Sequence, residues 1–272
     1  MRTIMAALIF MSFLVSAHAV PGIPTASAGE YSMREMAEPA NQYNDPPSYV
    51  AAGWEEARVA TISYKDGAVT DVYWPARESG APLPVILVAF KYSASKFVST
   101  YGKPFRTMAP TIIWMAQMAN LGYVVVCPDV SAAGQDMARV MAWIAERGPS
   151  LGMDASRLGL LAFSANAEMV PYLMTTPGAG NVKVILLYYP LVLPSAWSID
   201  RAVAVHIVKA GKDDANLNNR LDMLARNLRD AGNTVDLVTY ANGRHSFDVH
   251  DRTAEAAAAM RATHDFIRAY LK

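Results

Sequence analysis

The chain has 272 residues, of which 53% are hydrophobic and 18% charged, with 24 basic and 24 acidic side chains and a single cysteine. This composition supports a hydrophobic core and excludes an intrinsically disordered chain, a collagen-like repeat and a disulfide scaffold. The formal net charge of zero argues against nucleic acid as a partner, because binding to a phosphate backbone requires a basic surface.

The first 19 residues have the pattern of a secretory signal peptide. Arg2 precedes an uncharged, mostly apolar run from Ile4 to Ser16, and Ala17-His18-Ala19 forms an A-x-A cleavage site. The run is shorter than the roughly 20 apolar residues of a membrane-spanning helix. We therefore expect removal of residues 1–19 on export to the periplasm or the exterior, with no stable membrane insertion afterwards; Ala26-Ser27-Ala28 offers a second cleavage site.

Residues 20–52 are rich in Pro, Ala, Ser, Gly and Asn and have no sustained periodicity, which predicts a linker or an arm lying on the domain. Residues 53–272 are predicted to form one domain. Cys127 ends the apolar run 123–126, so we expect a buried, inert thiol, and a lone cysteine cannot form an intrachain disulfide.

The domain opens with a predicted hairpin, whose strands 57–64 and 69–74 flank Asp66-Gly67. Further strands are predicted at 84–90, 123–127, 158–163, 182–189, 202–209 and 235–240, and helices at 106–121, 134–147, about 217–232 and 252–271. Continuous apolar strands that alternate with helices indicate an α/β fold: a mostly parallel central sheet with helices on both faces and an N-terminal antiparallel hairpin. Reactive groups are then expected on loops at the carboxyl ends of strands.

One such loop carries Ser164, within Ala162-Phe163-Ser164-Ala165-Asn166. A serine on a sharp turn from strand to helix exposes its hydroxyl, and the N–H of the next residue, Ala165, can hold an oxyanion. The usual pattern is G-x-S-x-G, so Ala162 and Asn166 depart from it. The alternative is that Ser164 only caps the following helix.

Two later loops complete a catalytic order. Asp213 and Asp214 follow one predicted strand, and His245 follows the last one. A carboxylate there can orient a histidine, while the other aspartate caps a helix. The chain order Ser…Asp…His is that of α/β-hydrolases. His250 is a weaker candidate for the base.

At these residues the sequence resembles the α/β-hydrolases, and most closely the dienelactone hydrolase and esterase group. The resemblance rests on residues 157–165, on Gly211-Lys212-Asp213-Asp214, on the block 244–248, and on Asp71-Val72-Tyr73-Trp74-Pro75 ahead of the core. It implies hydrolysis of an ester or lactone through an acyl-enzyme. Ser164 would be the nucleophile, His245 the base, and Asp213 or Asp214 the acid.

The loop after the first core strand departs from that group, because Lys91-Tyr92-Ser93 stands where many lipases and esterases have HGGG. The second oxyanion N–H would then come from Lys91 or Tyr92. Pro171 falls within the helix expected after Ser164, where it would kink the chain. The basic and aromatic residues of this region predict a solvated loop, or else a substrate-facing one; they are Lys91, Tyr92, Lys96, Tyr101, Lys103 and Arg106.

The sequence therefore predicts an exported serine hydrolase for a small ester or lactone, without a cofactor. A metal site at His245, Asp248, His250 and Asp251 is disfavoured, because no further ligand cluster completes it. The alternatives are a peptidase or amidase on the same triad and a catalytically silent binding protein with the same fold. The sequence does not indicate an oligomeric state.

Overall fold

A computed structural model describes residues 46–192 and 197–272. The predicted signal peptide and most of the predicted arm fall on residues 1–45, outside the described residues. Within the described ranges, no helix is both long enough and apolar enough to cross a membrane.

The described residues form one mixed eight-stranded sheet in the order β1-β2-β4-β3-β5-β6-β7-β8. The strands are β1 (Arg58–Lys65), β2 (Ala68–Trp74), β3 (Leu83–Val88), β4 (Val124–Pro128), β5 (Met153–Phe163), β6 (Val182–Tyr188), β7 (Ala204–Ala210) and β8 (Val235–Tyr240). The pairs β1–β2 and β2–β4 are antiparallel, whereas β4–β3, β3–β5, β5–β6, β6–β7 and β7–β8 are parallel. The predicted fold class, a mostly parallel sheet with an N-terminal antiparallel hairpin, is confirmed.

Helices flank this sheet; the first five lie between parallel strands, and the last two follow β8. They are α1 (Ala94–Tyr101), α2 (Ala109–Asn120), α3 (Ala133–Arg147), α4 (Met169–Leu173), α5 (Ala215–Asp230), α6 (Phe247–His250) and α7 (Ala254–Tyr270). Their apolar faces cover the sheet, so residues 85–88 of β3 and 124–127 of β4 are fully buried. This cover explains why the core strands are apolar at every position. Burial raises the pKa of the Cys127 thiol, in accord with the expected inert cysteine.

Helix α1 was not predicted, since the sequence suggested only a loop between residues 91 and 106. The helix makes two turns, and Ser93 caps it by accepting a hydrogen bond from the Lys96 N–H at 3.3 Å. Phe97 anchors the helix by packing edge-on against Phe90 in the core, and the Ala94 N–H donates to the carbonyl of Val130 at 2.8 Å. A helix this short gives too few repeats for its periodicity to be read from sequence.

The predicted kink at Pro171 was wrong, because the chain after Ser164 forms two short helical segments in place of one long helix. Residues Ser164–Glu168 form a 3₁₀ helix, and Pro171 lies in the first turn of the five-residue α4. Backbone N–H groups in a first turn have no intrahelical acceptor, so the missing N–H of proline breaks no hydrogen bond.

Arg106 joins three parts of the chain through partly buried ion pairs. Its Nη1 lies 2.9 Å from Oδ2 of Asp71 in β2, and its Nε lies 2.7 Å from Oδ2 of Asp129 after β4. Asp71 is fully buried and also accepts a hydrogen bond from Thr61 at 2.7 Å. A buried carboxylate that loses its cation is costly, so this cluster holds the segment before α2 against the sheet.

Replacing Arg106 by Met should lower the free energy of unfolding by about 3–5 kcal/mol, because the buried carboxyl group of Asp71 would lose the guanidinium group. The matched control is Arg139→Met. Arg139 is half-exposed and pairs with Asp136, which also contacts Lys65, so this change should cost less than about 1 kcal/mol. Urea denaturation measures both, and equal losses would contradict the assignment.

His264 of α7 makes the fold sensitive to acid. The residue is buried between Trp114 and Tyr49, with ring-centroid distances of 5.9 Å and 5.8 Å. Burial, together with Arg268 nearby, lowers its pKa to about 4. Below pH 6.5 the unfolded chain therefore takes up a proton that the folded chain does not, so the folded state becomes less stable as the pH falls.

The free energy of unfolding should decrease by up to about 1.4 kcal/mol per pH unit between roughly pH 6 and 4 on account of this residue. In His264→Phe the decrease over this interval should be smaller than in the wild type. His250 is exposed, so His250→Phe serves as the control. Denaturation curves at pH 7 and 4.5 test this, and parallel pH profiles for wild type and His264→Phe would refute it.

Candidate active site

Ser164 directly follows β5, in the middle of the parallel part of the sheet. Its φ of 52° lies in the left-handed region, which costs a residue with a side chain about 1–3 kcal/mol. The carbonyl of Ser164 accepts a hydrogen bond from the N–H of Leu191 at 3.0 Å, which helps to hold the turn. Ala162 is fully buried, so only a small residue fits before the turn. This is the strained strand-to-helix turn expected for a nucleophile.

Ser164, His245 and Asp213 form a continuous hydrogen-bonded chain. Oγ of Ser164 lies 2.7 Å from Nε2 of His245, and Nδ1 of His245 lies 2.5 Å from Oδ2 of Asp213. A carboxylate can only accept, so Nδ1–H donates to Asp213 and the neutral Nε2 accepts from the serine hydroxyl. The histidine is thereby held in the tautomer that can remove a proton from Ser164.

The structure separates the two aspartates that the sequence left open. Asp213 turns toward His245, whereas Asp214 is the N-cap of α5 and accepts a hydrogen bond from the Leu217 N–H at 3.0 Å. An N-cap aspartate satisfies one of the free N–H groups at the start of a helix. The structure places His245, and not His250, beside Ser164.

Glycines allow the loops after β7 and β8 to touch. A Cβ on Gly211 would lie 2.4 Å from the carbonyl oxygen of Ala241, and a Cβ on Gly243 would lie 2.2 Å from the ring of Tyr240. The Lys212 N–H donates to the Gly243 carbonyl at 2.8 Å. This backbone contact brings the loop of Asp213 and the loop of His245 together.

Asp248 anchors the loop that carries His245 to the core. Its side chain is buried, and its two carboxylate oxygens accept from the Tyr189 hydroxyl at 2.6 Å and from Nε1 of Trp114 at 3.0 Å. Burial raises the pKa of Asp248, although both hydrogen bonds favour its charged form. The Tyr189 ring also packs on His245, with 4.7 Å between ring centroids.

Sequence reasoning missed Trp114 and Tyr189. Trp114 lies in the middle of α2, Tyr189 directly follows β6, and neither sits in a recognisable motif. The only signal was their size, which equally suits a core position. Within the described ranges, no group of three or more His, Cys, Asp and Glu side chains is arranged to hold a metal ion.

A cavity of about 320 Å³ opens at Ser164. Its wall is rich in aromatic side chains, which include Tyr92, Phe97, Tyr101, Phe105, Trp114 and Phe163. No Lys or Arg is among the described residues that line it. Of the basic and aromatic residues predicted for the segment 91–106, the two tyrosines face this cavity, whereas Arg106 is paired with Asp71 and Asp129.

Backbone N–H groups near Ser164 come from two segments. The Ala165 N–H lies in the first turn of the 3₁₀ helix, where N–H groups have no helical acceptor. In the loop after β3, the Lys91 N–H donates to Oδ1 of Asn166 at 2.9 Å. Tyr92 borders the cavity together with Ser164 and Ala165.

Comparison with known proteins extends these observations. Residues 151–271 match the dienelactone hydrolase family. A search of curated protein sequences finds no significant match. The fold is similar to that of a thermostable esterase from Pseudomonas putida, with a TM-score of 0.61 and 18% identity over 82% of this chain and 86% of that one.

It is also similar to esterase 2 of the planctomycete Thermogutta terrifontis in its butyrate-bound form, with a TM-score of 0.56 and 14% identity over 80% of this chain and 95% of that one. The propionate-bound form of the same esterase gives a TM-score of 0.58. Identities this low establish the fold alone. The resemblance predicted from the sequence is thus confirmed: the described domain has the α/β-hydrolase fold, and its part from residue 151 to 271 is dienelactone hydrolase-like.

Proposed function

We propose that this protein is a serine hydrolase that cleaves a carboxylic ester or lactone through an acyl-enzyme. The observation that carries the proposal is the hydrogen-bonded chain Ser164–His245–Asp213, with the serine held at a positive φ beside an open cavity. A serine that only capped a helix would need neither a histidine hydrogen-bonded to its hydroxyl nor a carboxylate hydrogen-bonded to that histidine.

In the first half of the reaction, Oγ of Ser164 attacks the carbonyl carbon of the ester while its proton passes to Nε2 of His245. Asp213 stabilises the imidazolium that forms. The tetrahedral intermediate carries its negative charge on the former carbonyl oxygen, which backbone N–H groups at Ala165 and in the loop after β3 would hold.

The intermediate then collapses and expels the alkoxide, which takes the proton from His245. In the second half, His245 removes a proton from water, and the resulting hydroxide attacks the acyl carbon. Breakage of the bond to Oγ releases the carboxylic acid, and the proton returns to Ser164. No cofactor takes part in these steps.

The cavity wall supports an uncharged substrate with an apolar acyl group. Aromatic rings bury apolar surface, and no basic side chain among the described lining residues would attract an anionic substrate. The similar esterase of Thermogutta terrifontis binds butyrate and propionate. We therefore propose p-nitrophenyl esters of short acids as first test substrates.

We also propose export. This rests on the charged start, apolar run and A-x-A site of residues 1–19, and it agrees with a domain that needs no disulfide.

The wild-type protein should react with a fluorophosphonate probe at Ser164, and Ser164→Ala should abolish both labelling and hydrolysis of p-nitrophenyl butyrate. Mass spectrometry of the labelled peptide identifies the site. The matched anilide distinguishes an esterase from an amidase, since a peptidase would cleave both. A folded wild type that is neither labelled nor active would instead indicate a silent binding protein.

Asp213→Asn should lower kcat by roughly three to four orders of magnitude, because an amide at this position favours the wrong tautomer of His245. Asp214→Asn should keep kcat within about threefold and lose little stability, because asparagine is an equally good N-cap. Steady-state kinetics and denaturation of the two variants test the assignment. A larger kcat loss in Asp214→Asn than in Asp213→Asn would reverse it.

A further inference from the structure

Asn166 occupies the position of the nucleophile turn where glycine is usual, and its side chain has a specific partner. Asn166 is 6% exposed, and its Oδ1 accepts a hydrogen bond from the backbone N–H of Lys91 at 2.9 Å. The two residues are 75 positions apart, so this bond joins the turn of Ser164 to the loop after β3.

A second contact joins the same two segments. The ammonium group of Lys91 forms an ion pair with the carboxylate of Glu168, which ends the 3₁₀ helix that starts at Ser164. Asn166 therefore holds the backbone of Lys91, and Glu168 holds the end of its side chain. The Lys91 ammonium also lies 5.6 Å from the centre of the Tyr92 ring.

The contact with Asn166 removes one of the two candidates for the second oxyanion donor. The Lys91 N–H is directed at Asn166 and is not available to a substrate oxygen. The next N–H along the loop belongs to Tyr92, and it donates to no acceptor among the described residues. Tyr92 borders the cavity beside Ser164 and Ala165.

An oxyanion hole is effective only when its donors are held in place before the reaction. The loop after β3 has no glycine between residues 89 and 101, so it lacks the backbone freedom that the glycines of an HGGG loop provide. One hydrogen bond connects the two places where the sequence departs from the usual motifs. Its donor, the Lys91 N–H, belongs to the loop without glycine, and its acceptor, Asn166, stands where glycine is usual.

We propose that Asn166 is a positioning residue: it fixes the loop after β3 through the Lys91 N–H, so that the Tyr92 N–H completes the oxyanion hole with the Ala165 N–H. This inference rests on the proposed serine hydrolase function. It predicts that the side chain of Asn166 acts on the transition state rather than on substrate binding.

Asn166→Leu keeps the size of the side chain and removes the acceptor. We expect kcat for p-nitrophenyl butyrate to fall about 10- to 100-fold with KM changed less than about threefold, a loss smaller than that of a whole oxyanion donor. Affinity for a trifluoromethyl ketone, which forms a tetrahedral oxyanion on the serine, should fall in parallel. Asn166→Asp retains an acceptor oxygen for the Lys91 N–H, but its negative charge beside the developing oxyanion should keep kcat below that of the wild type.

The matched control is Asn233→Leu. Asn233 is 5% exposed, and its Nδ2 donates to the carbonyls of Asp200 and Val203 at 2.7 Å and 3.0 Å, before the start of β7. This site lies at the amino ends of β7 and β8, whereas Ser164 lies at the carboxyl end of β5. The control should lose stability while keeping kcat and ketone affinity.

Amide hydrogen exchange of Lys91 provides a readout that does not depend on activity. The amide should be protected in the wild type, and Asn166→Leu should lose that protection. If the wild type is active and Asn166→Leu retains its kcat, or if the Lys91 amide is as protected in Asn166→Leu as in the wild type, the positioning role is refuted and the serine hydrolase proposal stands. If the wild type neither reacts with fluorophosphonate nor cleaves esters, both proposals fail.

Discussion

The site depends on the direct contact between the backbones of the loops after β7 and β8. The Lys212 N–H bonds the Gly243 carbonyl, and the absence of a side chain on Gly211 lets the loops approach closely. Asp213 and His245 lie one and two residues beyond these contacts, so two short side chains suffice to close a 2.5 Å hydrogen bond. A wider gap between the loops would leave the carboxylate too far from the imidazole to orient it.

A second layer, made of aromatic rings, supports this contact. Asp248 places a carboxyl group in the core, where a polar group needs hydrogen-bond partners, and two buried donors, Tyr189 and Trp114, supply them. The same Tyr189 packs on His245, so a single buried carboxylate fixes both the course of the histidine loop and the ring that covers it. Rigid support of this kind keeps catalytic groups in a productive geometry.

The fold and the order Ser…Asp…His could be predicted because they depend on local patterns: apolar runs for buried strands, and polar residues directly after them. The choice between Asp213 and Asp214 could not, since it depends on where each side chain points when two loops meet. The role of Trp114 could not be predicted either. A tryptophan that only fills the core and one that also donates a hydrogen bond to a distant aspartate look the same in the sequence. Asn166 looked only like a departure from the motif. Its partner is a backbone N–H, which every residue except proline carries, so no residue type in the sequence marks the contact.

Ser48 connects the start of the described chain to this site. Its hydroxyl donates to the carbonyls of Phe247 and Asp248 at 2.7 Å and 2.9 Å, and its N–H donates to the Asp248 carbonyl at 2.5 Å. The last part of the predicted arm, which includes Ser48, thus lies against the loop that carries His245 and supports it. The cleavage that we propose for export must therefore fall upstream of Ser48, because a cut downstream would remove the segment that supports the His245 loop.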